Sequence, residues 1–590
     1  MSVSPPAEGS PAHLLGEWAR LLLVTLRDAG VRDLWVSPGS RSTPFTWAAL
    51  QTEGLTVRSV IDERSAAFLA LGHTRITGRP CALLCTSGSA AANYFPAVVE
   101  ASLAHLPLLV LTADRPLEVQ HSAAAQTIDQ VKLYGQHARA FFDLGSPDAA
   151  PSALTGLRRL VAQAVATAEG PLPGPVHLNL RARKPLEPAT ASNDAERALS
   201  DQVSALLARP LARYAPTPRV GSDALLATAR AMREAASGCI VVGPLPASAK
   251  NLAEPLGELS RRTGFPIFAE ASSQVRFALA DHPGAFPLYD WLLSSPTTAG
   301  SLRPELLLCL GQTPTSSAFE RWAAGVPRRL VLAEHGYPDA LGTAELVASG
   351  NLESALSGLL DQLQASSSAF PSWRGLHERC AELVAAAIEE PQSEAEAVAR
   401  AVAALPDGAV LALGNSLPIR EVDAYVTRAA RVRVVSQRGA NGIDGLLSGA
   451  LGSALASGAP TLLLLGDVSF FHDLGALAAS RHVKTPLVIA VIDNAGGRIF
   501  DQLPVQKLYG GDARAAELWL TPPGAQLSQA ATLFGLDYAA PASAAEISSI
   551  VAAKLTKPGV TLVHLRVQPH SAALARQRVL EALGSKPSRG

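Results

Sequence analysis

Gly466-Asp467-Val468-Ser469-Phe470-Phe471-His472-Asp473-Leu474-Gly475, followed downstream by Val491-Ile492-Asp493-Asn494-Ala495-Gly496-Gly497-Arg498-Ile499-Phe500, is the part of the chain around which the rest is arranged. Apolar runs at 461–465 and 486–492 flank an Ala/Leu-rich segment of helical length at 474–481, which reads as strand, helix, strand with buried parallel strands. Such a unit brings Asp467 and Asn494 to the carboxyl ends of neighbouring strands, where open α/β sheets bind their ligands. A carboxylate, an amide oxygen and the carbonyls of a Gly-Gly turn form an oxygen donor set suited to Mg²⁺ beside a diphosphate. The glycines let the backbone approach phosphates closely. An ordinary βαβ unit with a turn at each strand end carries the same Gly-Asp and Asn, so the rest of the chain has to decide between the two.

Outward from this stretch, strands and helices alternate along most of the chain, the pattern of parallel sheets flanked by helices. Upstream lie a strand at 409–413 and two helices at 373–389 and 393–404, separated at Pro391 because proline interrupts the helical ladder. At the other end of the chain, residues 14–29 are amphipathic through Leu15, Trp18, Leu22 and Leu26, with Gly30 as the C-cap. A strand at 34–36 runs into Ser37-Pro38-Gly39-Ser40-Arg41-Ser42-Thr43-Pro44, a sharp turn into a helix with Ser42 or Thr43 as its cap and Pro44 near its first position. Arg41 stands there at the positive end of a helix, where a cation is disfavoured unless an anion also binds. The next strand, 57–61, delivers Asp62-Glu63 ahead of a helix at 65–75. A strand at 81–86 then turns through Ser87-Gly88-Ser89 into a helix at 90–103, and a strand at 107–112 ends in Ala113-Asp114-Arg115-Pro116.

Polar breaks at 184–218 and 364–372 separate three such regions, the middle one carrying strands at 239–243, 266–269, 305–310 and 329–333. The expected fold is therefore α/β, with three domains over residues 1–186, 187–370 and 371–590. The three region openings share a helix, a strand and a Gly/Pro-containing turn, too loosely for a sequence repeat.

With 590 residues the chain is long enough for several cores, and its net charge of −1 offers no basic surface for nucleic acid or a charged membrane. Five cysteines without metal-type clustering fit a reducing compartment; Cys81 and Cys85 read as buried strand residues. Residues 2–11 lack the apolar region of a secretory signal, and no apolar run approaches the ~20 residues of a membrane span. The expectation is a soluble, cytoplasmic protein whose partners are small molecules.

Gly-Asp followed by Asn after one strand-helix-strand unit is similar to the diphosphate-binding motif of thiamine-diphosphate (ThDP) enzymes. Further strings resemble one family among them, the 2-succinyl-5-enolpyruvyl-6-hydroxy-3-cyclohexene-1-carboxylate synthases of menaquinone biosynthesis. These are Ser37 to Pro44, Asp62-Glu63-Arg64, Thr86-Ser87-Gly88, Thr112 to Pro116, Gly414-Asn415-Ser416-Leu417-Pro418-Ile419-Arg420, and Arg438-Gly439-Ala440-Asn441-Gly442-Ile443-Asp444-Gly445. They occur in the family's order across the first and third regions.

The resemblance implies three domains, pyrimidine-binding, middle and diphosphate-binding, with ThDP and Mg²⁺ or Mn²⁺ as cofactors. It implies Glu63 as the carboxylate that hydrogen-bonds the aminopyrimidine of ThDP, and Ile443 as the apolar prop that bends the cofactor. Asp467, Asn494 and the Gly496 carbonyl correspond to metal ligands, while Ser87, Gly88, Gly466, Val468, Ser469 and Ile499 complete the cofactor positions. Ser40, Arg41, Arg115, Gln126, Ser416, Arg420, Arg438 and Phe500 match substrate positions, and four arginines suit substrates bearing several carboxylates. The implied reaction is decarboxylation of 2-oxoglutarate and 1,4-addition of the succinyl carbanion equivalent to isochorismate, by a homodimer or dimer of dimers whose cofactor lies between two chains. The alternatives are another ThDP-dependent 2-oxoacid decarboxylase or carboligase, distinguished by isochorismate dependence, and a catalytically silent ThDP-fold binding protein. The sequence departs from many relatives at Gly475-Ala476, at Asp493, and at Pro314-Thr315-Ser316-Ser317, where the family string ends in lysine.

Overall fold

The computed structural model describes residues 10–212, 217–249, 251–364, 370 and 373–584, so most of the polar break at 364–372 lies outside the described residues. Three sheets are present, every paired strand parallel to its neighbours. The first contains β1 (Asp33–Ser37), β2 (Thr56–Ser59), β3 (Cys81–Cys85), β4 (Leu108–Asp114), β5 (Ala140–Asp143) and β6 (Pro175–Arg181) in the order β2-β1-β3-β4-β6-β5. The second contains β7 (Gly238–Val242), β8 (Ile267–Ala269), β9 (Leu306–Leu310), β10 (Arg328–Ala333) and β11 (Leu346–Ser349) in the order β11-β10-β9-β7-β8. The third contains β12 (Val410–Leu413), β13 (Arg433–Ser436), β14 (Thr461–Gly466), β15 (Leu487–Asp493), β16 (Asp537–Ala539) and β17 (Val560–Arg566) in the order β13-β12-β14-β15-β17-β16.

The first and third sheets thus have one and the same topology, a repeat of architecture that the sequence hinted at only in its region openings. In both, the chain leaves the opening strand for one neighbour and returns to add the next strand on the other side. A crevice forms at such a switch point, outside the carboxyl ends of β1 and β3 in one sheet and of β12 and β14 in the other. Glycine makes the close approach possible at each. A Cβ on Gly39 would fall 2.4 Å from the Thr86 Cβ, and one on Gly414 would fall 2.9 Å from the Leu464 carbonyl oxygen.

The chain folds into two compact units. One comprises Met1–Pro216 with Gly439–Ala456 and Gly475–His482; the other comprises Thr217–Arg438, Ser457–Leu474 and Val483–Gly590. In the first, the amphipathic helix forms over Pro11–Asp28 and buries Leu15, Trp18, Leu22 and Leu26 as its periodicity requires, in one core with Val36, Leu109 and Leu178. In the second, apolar faces of the middle and third sheets fill their own cores, around Ile240 and Leu308 and around Leu464 and Val488. Cys81 and Cys85 are buried in β3.

The structure corrects several expectations. The segment after Asp467 is an α-helix over Asp467–His472 followed by a 3₁₀ segment over Leu474–His482. Leu474 and Leu477, three apart, suit a winding of 3.0 residues per turn as well as 3.6, so periodicity over nine residues could not tell them apart. The helix expected at 90–103 is two helices, Ser89–Asn93 and Phe95–Leu103, because Pro96 has no N–H to continue the ladder. Ala29 is the C-cap of the first helix, with Gly30 just beyond it at φ +110°. Ser42 occupies the N-cap of Thr43–Leu50 without capping it, its hydroxyl donating to the Gly39 carbonyl at 2.9 Å instead.

Candidate active site

In the first unit, the sequence-predicted residues gather at the carboxyl ends of β1 and β3 and on the segments beside them. Ser40 and Arg41 lie in the 3₁₀ turn Ser40–Ser42 that follows β1. Arg41 does not point its charge along the helix it precedes: the side chain is buried and donates from Nη1 to the Ala182 carbonyl at 2.7 Å. Burial, and then the like charge of Arg115, hold its pKa below the usual arginine value, with Asp114 opposing. Guanidinium groups near one another are a chemistry suited to carboxylates. Arg115 follows β4 and donates from Nη2 to the Ala125 carbonyl at 2.9 Å.

Ser87 and Gly88 form the turn after β3. The Ser87 hydroxyl donates to the Gln126 carbonyl at 2.9 Å, and Gln126 Nε2 returns a bond to the Ser87 carbonyl at 3.1 Å, so these two predicted positions hold each other directly. Gly88 adopts φ +87° freely as a glycine, whereas Gln126 at φ +55° is strained, and such strain persists only where the surroundings fix it. Gly88 N donates to Gln130 Oε1 at 3.3 Å, and from Gln130 a buried network runs through Asn179 to Asp114 and Arg181. Sequence reading missed that network because its members lie on strands far apart in the chain.

Glu63 opens the helix Glu63–Thr77, two residues earlier than expected, with Asp62 as the cap that accepts from Ser65 N at 3.2 Å. Since Asp62 does the capping, Glu63 is released from that task. Its half-buried carboxylate raises the pKa of the Cys85 thiol, after burial the largest contribution. Ile443 lies half-buried in the loop ahead of the helix Leu446–Ser457. That loop is anchored by Glu100, whose carboxylate accepts from Gly439 N at 3.0 Å and Ala440 N at 2.6 Å while paired with the half-buried Arg75.

In the second unit, Asp467 and Asn494 follow adjacent strands, with Gly466 registered against Ile492. Asp467 is buried and accepts from Val468 N and Gly496 N, both at 2.8 Å. Burial raises its pKa, and the two N–H bonds oppose the rise. Asn494, 5 % exposed, donates from Nδ2 to Glu394 Oε2 at 3.0 Å, while its Oδ1 is buried with no partner. Glu394 is pushed up to about 7 by burial, with the Asn494 bond opposing and the Asp467 charge adding. Gly496 sits at φ +117°, where a Cβ would strike the Leu520 carbonyl oxygen at 2.4 Å. Gly466 and Val468 are half-buried and Ser469 is buried beside Asp467; Ile499 and Phe500 are half-buried in the 3₁₀ segment Arg498–Gln502.

This donor set fits a divalent cation. A partnerless buried amide oxygen and a buried carboxylate of raised pKa are both relieved by a hard cation. Among the described residues there is no group of three or more His, Cys, Asp or Glu able to hold a metal, so remaining ligands would come from a diphosphate and the backbone. Asp493, where many relatives have asparagine, points elsewhere and pairs with His564 at 2.7 Å.

Ser416 follows β12 at the switch point, at φ +72° and ψ −127°, as the N-cap of the helix Leu417–Tyr425. Arg420 donates from Nη1 to the Ser416 carbonyl at 2.7 Å, and Arg438 from Nη1 to Asn415 Oδ1 at 3.4 Å. Desolvation, and then the charge of Arg438, lower the Arg420 pKa, against Asp290, Asp423 and Glu270. The second unit therefore holds its own pair of neighbouring guanidinium groups. Ser317, in place of the family lysine, begins a helix capped by Ser316, and Thr315 N donates to the buried Glu270 at 2.7 Å.

Known proteins resemble this chain in sequence and in fold. Residues 17–133 match the family described as thiamine pyrophosphate enzyme, N-terminal TPP binding domain, and residues 423–565 match thiamine pyrophosphate enzyme, C-terminal TPP binding domain. The chain is 40% identical over 605 residues to a 2-succinyl-5-enolpyruvyl-6-hydroxy-3-cyclohexene-1-carboxylate synthase of Sorangium cellulosum, covering 98% of each. It is 38% identical over 590 residues to the protein of that name from Myxococcus xanthus, covering 98% of this chain and 99% of the other. In fold it is similar to benzoylformate decarboxylase from Polynucleobacter necessarius, with a TM-score of 0.69, 15% identity, and coverage of 94% of this chain and 98% of that one.

Proposed function

We propose a division of labour among the residues of a chain that belongs to the 2-succinyl-5-enolpyruvyl-6-hydroxy-3-cyclohexene-1-carboxylate synthase family and is a ThDP-dependent, decarboxylating, carbon-carbon bond-forming transferase of menaquinone biosynthesis. Its substrates are 2-oxoglutarate and isochorismate. When bound, ThDP supplies the electron sink that lets a 2-oxoacid lose CO₂. Everything else falls to the protein's own side chains and backbone.

Asp467, Asn494 and the Gly496 carbonyl hold a divalent cation, Mg²⁺ or Mn²⁺, which ties down the diphosphate. Gly466, Val468, Ser469 and Ile499 line it. Glu63 holds a proton between its carboxylate and the aminopyrimidine of ThDP, general acid-base help worth ~10²- to 10⁴-fold. Ser87 and Gly88 border that ring, and Ile443 props the cofactor. Arg420, Arg438, Ser416 and Phe500 receive the 2-oxoacid, whose distal carboxylate must be desolvated and needs a fixed cationic partner. Arg41, Arg115, Ser40 and Gln126 receive isochorismate.

The observation that carries this reading is the buried, partnerless Asn494 Oδ1 beside Asp467 at a sheet's ligand-binding edge. Two neighbouring arginine pairs support the substrate assignment. We also assign the chain three domains, 1–186, 187–370 and 371–590, each spanning one sheet, and self-association as a homodimer or dimer of dimers in the cytoplasm. Among the described residues no helix is long and apolar enough to cross a membrane. The deciding experiment incubates purified protein with ThDP, Mg²⁺, 2-oxoglutarate and isochorismate and identifies products by mass spectrometry. Rapid 2-oxoglutarate consumption that ignores isochorismate would point to a simple decarboxylase instead.

A further inference from the structure

Glu394 is the residue near the metal site that the sequence did not mark out. It opens the helix Glu394–Ala403, where an acidic side chain ordinarily serves the helix dipole. That need is already met: Ser393 caps the helix by accepting from Glu396 N at 3.0 Å. Glu394 is instead 1 % exposed, its backbone N donating to Ser571 Oγ at 3.1 Å and its Oε2 accepting from Asn494 Nδ2 at 3.0 Å.

An asparagine amide is nearly symmetric in shape and opposite in chemistry at its two ends. A carboxylate accepts hydrogen bonds and, when ionised, donates none, so it binds the NH₂ end and repels the oxygen. Rotating the Asn494 amide by half a turn would set Oδ1 against Glu394 and leave an NH₂ group facing any cation. With the amide as it stands, Asn494 Oδ1 is buried without a partner, and so is Glu394 Oε1, the carboxylate oxygen that does not meet the amide. We propose that Glu394 is a positioning residue that locks the Asn494 amide with its oxygen presented to the divalent cation.

The proposal rests on Asn494 as a cation ligand, and the test separates the two ideas. Glu394→Gln keeps the reach but offers an NH₂ group as well as an oxygen, so it no longer selects which end of the Asn494 amide faces it. Glu394→Asp keeps the charge but withdraws the acceptor by one methylene. Binding of Mn²⁺ in the presence of ThDP, followed by the loss of the free-ion electron paramagnetic resonance signal, reads the affinity directly. Loss of an outer partner of a metal ligand typically costs 10- to 100-fold in affinity, so Glu394→Asp and Glu394→Gln should each fall by about that factor. The Mg²⁺ concentration needed for half-maximal activity should rise in the same way, with kcat at saturating Mg²⁺ restored in both variants. Wild-type affinity in Glu394→Asp or in Glu394→Gln would overturn the positioning role. Asp467→Ala serves as the control: if it binds Mn²⁺ like wild type, the reading of the site itself is wrong.

Discussion

Gly72 and Gly449 meet backbone to backbone: a Cβ placed on Gly72 would lie 1.9 Å from the Gly449 carbonyl oxygen. The same helix pair closes again where a Cβ on Gly452 would lie 2.0 Å from the Leu69 carbonyl oxygen, and Ser453 Oγ donates to the Gly72 carbonyl at 3.2 Å. Gly445 lies equally close to Phe68. The helix that begins at Glu63 and the segment that follows Ile443 therefore meet in direct backbone contact at Gly72 and Gly452, with the Phe68 ring set against Gly445.

Gly72→Ala tests that fastening. In a helix interior alanine is favoured over glycine by roughly 1 kcal/mol, whereas overpacking against a backbone that cannot yield costs about 1–3 kcal/mol. Packing should win, and the variant should melt below wild type. A higher melting temperature would show that the helices can separate at no cost.

Glu63→Gln should leave ThDP bound while slowing exchange of the cofactor's C2 proton by ~10²- to 10⁴-fold. Proton exchange monitored by NMR on the bound cofactor checks this, and an unchanged rate removes Glu63 from acid-base work.

Asp467→Ala should abolish the stabilisation that ThDP with Mg²⁺ gives the wild-type protein, because a ligand stabilises only the state that binds it. Thermal melting with and without cofactor is the measurement. Equal upward shifts in both proteins would place the cation elsewhere.

Arg420→Ala and Arg41→Ala should part company between two assays: CO₂ release from 2-oxoglutarate with an artificial electron acceptor, and full product formation with isochorismate. A charge-assisted hydrogen bond contributes about 1.5–3 kcal/mol and a tenfold change in affinity is about 1.4 kcal/mol, so each loss should weaken apparent affinity roughly ten- to hundredfold. Arg420→Ala should impair both assays, Arg41→Ala only the second. Equal damage by Arg41→Ala in both would refute the assignment of the two arginine pairs.

Acid should destabilise the protein from about pH 6.5 downward, the ordinary histidine range. Burial depresses His177 to about 3 and His377 to about 4. In the unfolded chain both take up a proton near pH 6.5; in the folded chain they stay neutral. Stability present above that pH is thus lost as pH falls, by about 1.4 kcal/mol per unit for each group. His177→Gln should flatten the decline in melting temperature between pH 7 and pH 5, and a decline as steep as wild type would exclude His177 as a cause.

The alternation of strands and helices and the placement of Asp467 and Asn494 were legible because buried parallel strands write themselves as short apolar runs with chemistry at their ends. Glu394 was illegible because an acid at a helix start looks like capping, and only its 3.0 Å bond to a residue a hundred positions away reveals another task. Arg41 was legible as a cation at a helix start, but its burial and its neighbour Arg115, which hold its pKa below the usual arginine value, could not be read from the sequence. The membership of residues 439–456 in the first unit could not be read at all, since a helix carries no mark of which distant helix its glycines will meet.

That discontinuity sets a schedule for synthesis. A ribosome that has emitted residue 216 has made the whole first sheet, yet the helix that covers Leu69 and Gly72 is encoded about 220 residues later. At 5–20 residues per second this interval is roughly ten to forty-five seconds. Through that time the segment that packs on Leu69 and Gly72 has not yet been made. Truncation anywhere before residue 439 should therefore yield an aggregation-prone fragment, not a small independent domain.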